Sequence, residues 1–541
     1  MKFRAFFKVL AAIAGFLLLI GTIGFVWVLA QSPVSLLRGS AQAHPTAAMF
    51  VSKQAPLMAS LMVNPDRLGT LRRVLANPRD RASARAEFEQ FQQGILGNSE
   101  LDYARDVKPW LGNEVTVAIT TLDIDRDDSN GKEAGYLLAL RTKNTERSRE
   151  FLQLFWQKRA IAGTPLEFEQ YKGARIIYGS VEASESIPIT VASAVVGNRY
   201  VLFANSPKVL RDAINNVQAD DLNLEHSLDY QTSIAALDRT RIGVVFLNLP
   251  QVAELTKQTA PETDSSVAIA LGLDRRGLIA ETALIHPANS SVQAAQSVEA
   301  LKYIPATSPI FASGRNLDSL WSGISSAIAS YGKLAQFVNQ PIETFQSQTQ
   351  VSLPQDVFNW VKGEYALGLV PNDKTTDWIF VADRSDPQAA QGIAHFDEIA
   401  KNQGISTGAL TVKDQPIAVW NRLATEPAQT DVLEAQALAM HTTIGKYEIF
   451  ASSIDAMNTA LNAKKTAFAN NPVKTAPLEK SNGYLYIDWE TAQPILESRF
   501  PILNLLELAG QPLFEHLRSI TVSNYGNQNN VQRGGAFIRL S

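Results

Sequence analysis

Carboxylates, histidines and tryptophans are the side chains here that could do chemistry, and their spacing decides which chemistry is open. Asp123-Ile-Asp125-Arg-Asp127-Asp128-Ser-Asn130-Gly131 gathers oxygen donors as a calcium loop does. An EF-hand loop needs glycine at its sixth position and glutamate at its twelfth. Counted from Asp123 these fall on Asp128 and Ala134, and counted from Asp125 on Asn130 and Tyr136. The stretch is therefore expected to be a solvated hairpin tip, with weak calcium capture as the functional alternative. Asp106-x-x-x-Trp110-x-x-x-Glu114 sets an indole between carboxylates, a combination able to hold a sugar or a cation. The same residues suit a helix-to-strand corner with the indole packed beneath it, and the corner is the reading expected.

The six histidines, His44, His226, His286, His395, His441 and His516, form no His-x-x-x-His or His-Glu-x-x-His pair. Absence of cysteine removes disulfides, thiol catalysis and thiolate metal sites together. No Gly-x-Ser-x-Gly elbow, Walker loop or Gly-x-Gly-x-x-Gly turn is present. No catalytic, cofactor-binding or metal-ligating residue is assigned on this basis, and no cofactor is expected.

The elements that would position such residues come in two series. Asp106-Val-Lys-Pro-Trp110-Leu-Gly-Asn-Glu114 matches Asp356-Val-Phe-Asn-Trp360-Val-Lys-Gly-Glu364. In the same order, Pro56 to Ser60 matches Pro309 to Ser313, Tyr200 to Ser206 matches Tyr447 to Ser453, and Gly243 to Asn248 matches Gly483 to Asp488. A tandem duplication is the expectation, with one repeat over 47–290 and the second over 300–541. In the first, strand-like runs fall at Pro56 to Val63, Val115 to Leu122, Tyr136 to Leu140, Leu166 to Gln170, Ala174 to Tyr178, Ile189 to Val196 and Arg199 to Ala204. Further runs lie near Ile242, Val267 and Leu278. Helices are expected after Asn64, after Asn144 up to Gly163, and after Ser206-Pro207. Asp386-Pro387 and Gly404 bracket another. Short turns such as Gly197-Asn198 join neighbouring strands, so the fold class expected is α+β: a largely antiparallel sheet with helices on one face. The second repeat adds a helical insertion from Trp321 to Phe345 and an apolar stretch from Ile495 to Leu517. That stretch reads as a cover between the halves or as an exposed docking patch.

Ahead of both lies Val9 to Ala30, an uncharged run long enough to cross a bilayer as a helix. Lys2, Arg4 and Lys8 precede it and only Arg38 follows closely, so the basic tip 1–8 stays cytoplasmic and the bulk of the chain is extracytoplasmic, periplasmic or luminal. The span 9–30 is read as an uncleaved transmembrane signal-anchor, longer than a secretory h-region. Cleavage after Ala30 or Ala43 is the competing reading. A linker, 31–46, leads to the repeats. The formal net charge of −4, with three basic residues lying before the span, leaves an acidic ectodomain and argues against a nucleic-acid partner.

The run Asp106 to Val115 resembles the signature of a bacterial, largely cyanobacterial, family of membrane-anchored envelope proteins known only as a domain of unknown function. The resemblance extends over nearly the whole chain, and the second repeat departs from it with Val361-Lys362 in place of Leu111-Gly112. It implies architecture and export and brings no catalytic residues. The function expected is that of a single-pass, membrane-anchored envelope protein with a duplicated binding or scaffolding ectodomain, no catalytic activity and an envelope protein as partner. The alternatives are an extracytoplasmic hydrolase whose site assembles only in the fold and a carrier of an apolar or lipid ligand. The anchor is directly testable. Protein purified from membranes should begin at Met1 and resist alkaline washing, and an N-terminus at Gln31 or His44 would refute retention of the span.

Overall fold

In this computed structural model the residues described are 44–64, 103–182 without 128 and 130, 188–237, 241–255, 265–285 without 275, 298–329, 339, 342–343, 346–347, 351–372, 376–463 without 413, 427 and 428, 483–499 and 517–540. The span 9–30, the helix expected after Asn64, most of the insertion beyond Ala329, the stretch 500–516, His286 and His516 lie outside them.

The first series of strands is β1 Leu57–Leu61, β2 Leu111–Thr121, β3 Gly135–Thr142, β4 Leu166–Tyr171, β5 Ala174–Glu182, β6 Pro188–Val196, β7 Tyr200–Ala204, β8 Gly243–Asn248, β9 Ser266–Asp274 and β10 Gly277–Ile285. The second is β11 Ile310–Arg315, β12 Glu364–Pro371, β13 Thr376–Asp383, β14 Ser406–Val412, β15 Gln415–Glu426, β16 Gln429–Ile444, β17 Tyr447–Ala451, β18 Gly483–Asp488, β19 Leu517–Gln528 and β20 Val531–Leu540. The helices are α1 Thr145–Ile161, α2 Pro207–Gln218, α3 Leu228–Ala235, α4 Leu249–Leu255, α5 Leu317–Ala329, α6 Pro387–Asn402, α7 Ile454–Ala463 and α8 Trp489–Arg499.

Local chemistry sets these boundaries. Asn144 caps α1 by accepting the Arg147 N–H, and Gly163 at φ +90° lets the chain leave it. Ser206 caps α2 with Pro207 in its first turn, and Asp386 with Pro387 does the same for α6. Positive φ at both Gly197 and Asn198 gives the tight turn that sends β6 back into β7. Each of these was legible in the sequence.

Among the described residues all strand pairings are antiparallel and join into a 20-stranded sheet. Its neighbour order through the first series is β4-β5-β6-β7-β3-β2-β1-β8-β9-β10. It continues β20-β19-β18-β11-β12-β13-β17-β16-β15-β14. The second string is the first reversed, with every number raised by ten. The two meet where β10 pairs with β20, from Gly277 opposite Arg539 to Ile285 opposite Val531.

Helices cover both faces of this sheet, which corrects the expectation of one. In the first half Phe151, Leu152, Phe155 and Trp156 of α1 pack with Leu61, Val115 and Val201. On the opposite face Val209, Leu210, Ala213 and Ile214 of α2 pack with Met58, Ala118 and Leu202. The second half repeats the layering. Ala389 of α6 joins Trp360, Tyr365, Ala382 and Phe450, whereas Ala456, Met457 and Ala460 of α7 join Ala366, Val381 and Ile449 on the other side. An apolar stripe shows that a helix is buried but not against which face.

The meeting of β10 with β20 tolerates no side chain at its end. A Cβ on Gly277 would stand 2.0 Å from the Ile538 carbonyl oxygen, a backbone atom that can yield only by opening the ladder. Gly277→Ala should therefore lower unfolding stability by about 1–3 kcal/mol, measured by urea denaturation. A midpoint equal to wild type would contradict this close approach.

Candidate functional site

Glu114 and Glu364, the last residues of the paired motifs, are almost wholly buried. A buried carboxylate must have partners, and each finds them at the start of a short helical turn far off in sequence. Glu114 accepts the Thr46 hydroxyl at 2.6 Å and the Ala47 N–H at 2.7 Å, where the turn Thr46–Phe50 begins. Tyr200 donates to it at 3.1 Å and Arg141 stands 3.8 Å away. Glu364 accepts the Glu299 and Ala300 N–H groups at 2.9 and 3.1 Å, where the turn Glu299–Tyr303 begins. Tyr447 and Arg315 each donate to it at 2.6 Å, and Lys446 lies 3.6 Å off. Burial pushes the Glu364 carboxyl up, but Tyr447, Arg315, Lys446 and the Ala300 N–H outweigh it, so the group titrates below the usual glutamate range. Burial, reinforced by Glu364, raises the Tyr447 phenol.

Both tryptophans of the motif sit at the corner. Trp110 and Trp360 are buried, and their indole N–H groups donate to the Asp106 and Asp356 carbonyls, each at 2.8 Å. Trp110 meets Phe151 of α1 at 5.0 Å, while Trp360 lies against Gly392 of α6, where a Cβ would fall 2.3 Å from the indole. Neither indole offers a face to a sugar. The motif ties the turn, the strand and the covering helix together.

A second polar cluster was not foreseen. His441 on β16 donates from Nδ1 to Glu448 on β17 at 2.6 Å; Glu448 also accepts Thr443 at 2.7 Å and Arg384 at 3.2 Å. Trp420 stacks on the imidazole at 5.1 Å and Phe450 at 5.5 Å, and the Trp420 N–H donates to Asp397 of α6 at 2.8 Å. Nε2 of His441 is buried and has no hydrogen-bond partner among the described residues. A histidine oriented by a carboxylate is the start of a general base, but this ring belongs to a three-ring cluster with Trp420 and Phe450, and its second nitrogen is buried. Its only signal in the sequence is the hairpin spacing from His441 to Glu448 across Gly445. The first half differs there: Trp156 of α1 donates to Ser193 of β6 at 2.7 Å within an apolar surround.

The acidic loop turns its oxygens on itself. Asp125 accepts the Asp127 N–H, Asp127 accepts the Ser129 N–H and hydroxyl, and Asp123 accepts the Glu133 N–H. Among the described residues no three His, Cys, Asp or Glu side chains gather as metal ligands. His226 bonds Asn223 at 2.9 Å, and His395 lies 3.5 Å from Asp356.

The chief asymmetry between the halves is apolar. Phe380, Leu367, Ala312, Leu485, Val522 and Ala536 form one row straight across β13, β12, β11, β18, β19 and β20. Leu367 is 42% exposed, Leu485 39% and Val522 41%. The row in the corresponding strands of the first half holds Val117, Ala59 and Val245, at 1%, 6% and 4%. The sequence does not mark the open row, because Leu367 and Leu485 are apolar strand residues like those that are buried.

A family model described as "Protein of unknown function (DUF3352)" matches residues 10–540. The chain belongs to the DUF3352 family. No curated protein matches it. Among solved structures, crystal forms I and IV of TP0453 are similar to this DUF3352 chain at 9% and 8% identity, with TM-scores of 0.25 and 0.23. Each covers 46% of this chain and 82% of the matched one, a likeness too shallow to assign a fold.

The carboxylate knots give a pH-dependent prediction. Because the folded-state pKa of Glu364 lies below its ordinary 4.5, its contribution is present above that value and fades as pH falls through the folded pKa. Glu364→Gln should cost about 3 kcal/mol at neutral pH and flatten the acid limb of the stability curve. A variant with the wild-type acid limb would refute the assignment.

Proposed function

We propose that this DUF3352 protein is a membrane-anchored, extracytoplasmic binding or scaffolding protein of the bacterial envelope, built from two copies of one α+β unit. The duplication reading is supported by the ordered motif pairs, the repeated strand order, and knots that in both halves join the carboxylate to a short helical turn and a tyrosine, and the indole to an aspartate carbonyl. Anchoring rests on the uncharged run 9–30 and its basic flank. Among the described residues, no helix is long and apolar enough to cross a membrane.

The observation that carries the binding reading is the open row Leu367, Leu485 and Val522. Two copies of one unit need not keep the same surface, and apolar side chains held in one line across several strands form a contiguous patch of the kind that marks an interaction site. The hydrolase alternative has His441–Glu448 in its favour, but the ring is stacked against Trp420 and Phe450 and its Nε2 is buried. Leu485→Ser combined with Val522→Ser removes apolar surface that is already partly open, so stability should fall by only about 1 kcal/mol per site. The envelope protein that co-purifies with wild type from gently solubilised membranes should be lost from the double variant. An unchanged set of co-purifying proteins, with unchanged folding, would overturn the assignment of this row.

A further inference from the structure

Among the described residues the sheet ends at β4 and at β14, and the two ends are protected unequally. At one end β4 carries Glu167 and Glu169, the first accepting the Tyr178 hydroxyl and the second paired with Arg211 at 3.1 Å. At the other end β14 reads Ser406-Thr-Gly-Ala-Leu-Thr-Val412, without charge or proline, and its register with β15 runs unbroken from Ser406 opposite Asn421 to Val412 opposite Gln415. Proteins shield free edges with charges, prolines or bulges, and β14 has none of them. It is nevertheless largely solvent-exposed, with Leu410 at 43%.

We infer that β14 is a self-association edge, at which two copies of the chain join antiparallel about a two-fold axis through Ala409. In that register Leu410 faces Gly408 of the second copy, Thr411 faces Thr407 and Val412 faces Ser406. Each leucine then has a glycine opposite, and the two leucines meet on the diagonal, within reach for long side chains. Leu410 and Gly408 lie opposite Ile417 and Val419, both buried in the second-half core, so the join extends that apolar layer past its present margin. No like charges come together. The same operation on β4 about Phe168 would set Glu167 against Glu169 of the second copy, a destabilising pair, so the charge pattern selects one edge for self-pairing and protects the other. A two-fold join at one edge closes after two copies, whereas pairing β14 with β4 would propagate without end. Seven residues of edge make a small interface of the weak, reversible kind, so the dimer depends on concentration.

Because the chain has no cysteine, one introduced thiol reports the geometry without background. Full-length Ala409→Cys in mild detergent should form a disulfide-linked dimer on gentle oxidation, since directly opposed antiparallel residues lie about 4.5–5.5 Å apart, within disulfide range. Phe168→Cys on β4 should not. Light scattering across a range of concentrations supplies a second test without cross-linking. Thr407→Glu with Thr411→Glu sets carboxylates opposite each other and should leave only monomer, whereas Thr407→Lys with Thr411→Glu sets opposite charges together and should retain the dimer. Both pairs occupy exposed positions, so melting temperatures should match wild type. Monomeric wild type at every concentration, equal cross-linking at Phe168→Cys, or a Glu/Glu variant as dimeric as the Lys/Glu variant would each overturn the inference. So would protection of β14 by an added extended peptide in place of a second copy.

Discussion

Two buried carboxylates set the terms on which the rest of this fold is built. A charge removed from water is tolerable only when its hydrogen bonds are met. Glu114 therefore holds Thr46 and Ala47, and Glu364 holds Glu299 and Ala300. Each bond fixes the helical turn that precedes the first strand of its half. Through Tyr200 and Tyr447 each also reaches β7 or β17, and those tyrosines meet Phe50 and Tyr303 edge-on at 4.9 and 5.6 Å. One side chain thus fixes the turn, two strands and an aromatic contact at once. The indole four residues before the carboxylate, in the same motif, adds the helix on the opposite face.

Local signals carried much of the architecture. Asn144, Ser206 and Asp386 announced helices because a cap acts on its own neighbours, and Gly197-Asn198 announced a turn because positive φ is a property of the residue itself. The motif positions were legible too, as matched spacing. What Glu114 does there was not, because its partners are separated from it by 67 and 68 residues and nothing local marks them. The side of the sheet that α2 and α7 cover was hidden for a related reason: alternation in a strand defines two faces without saying which helix takes which. His441 and Glu448 match no fixed ligand spacing; hairpin register alone brings them together.

The halves share a plan but fill it differently under α1 and α6. In the first, Phe151, Phe155 and Trp156 seal the space with rings. In the second, the indole comes from the strand as Trp420 and donates up to Asp397, and a histidine and a buried glutamate occupy the layer beside it. The Tyr365 phenol in this region is pushed by burial up to about 12. Apolar packing asks only for volume, whereas a hydrogen-bonded layer asks for particular atoms in particular places. The second half is thereby the less forgiving of substitution beneath its helix.

The junction of β10 with β20 also orders events in time. Gly277 and Arg539 are neighbours across the sheet, yet nearly half of the sequence separates them. A ribosome completes β10 long before it begins β20, so the middle of the eventual sheet stays an open border while ten further strands are made. Loop closure over that distance comes late and slowly. Until then the nascent first half resembles a finished sheet with one unguarded side, the moment in the life of the chain when mispairing with a neighbour is easiest.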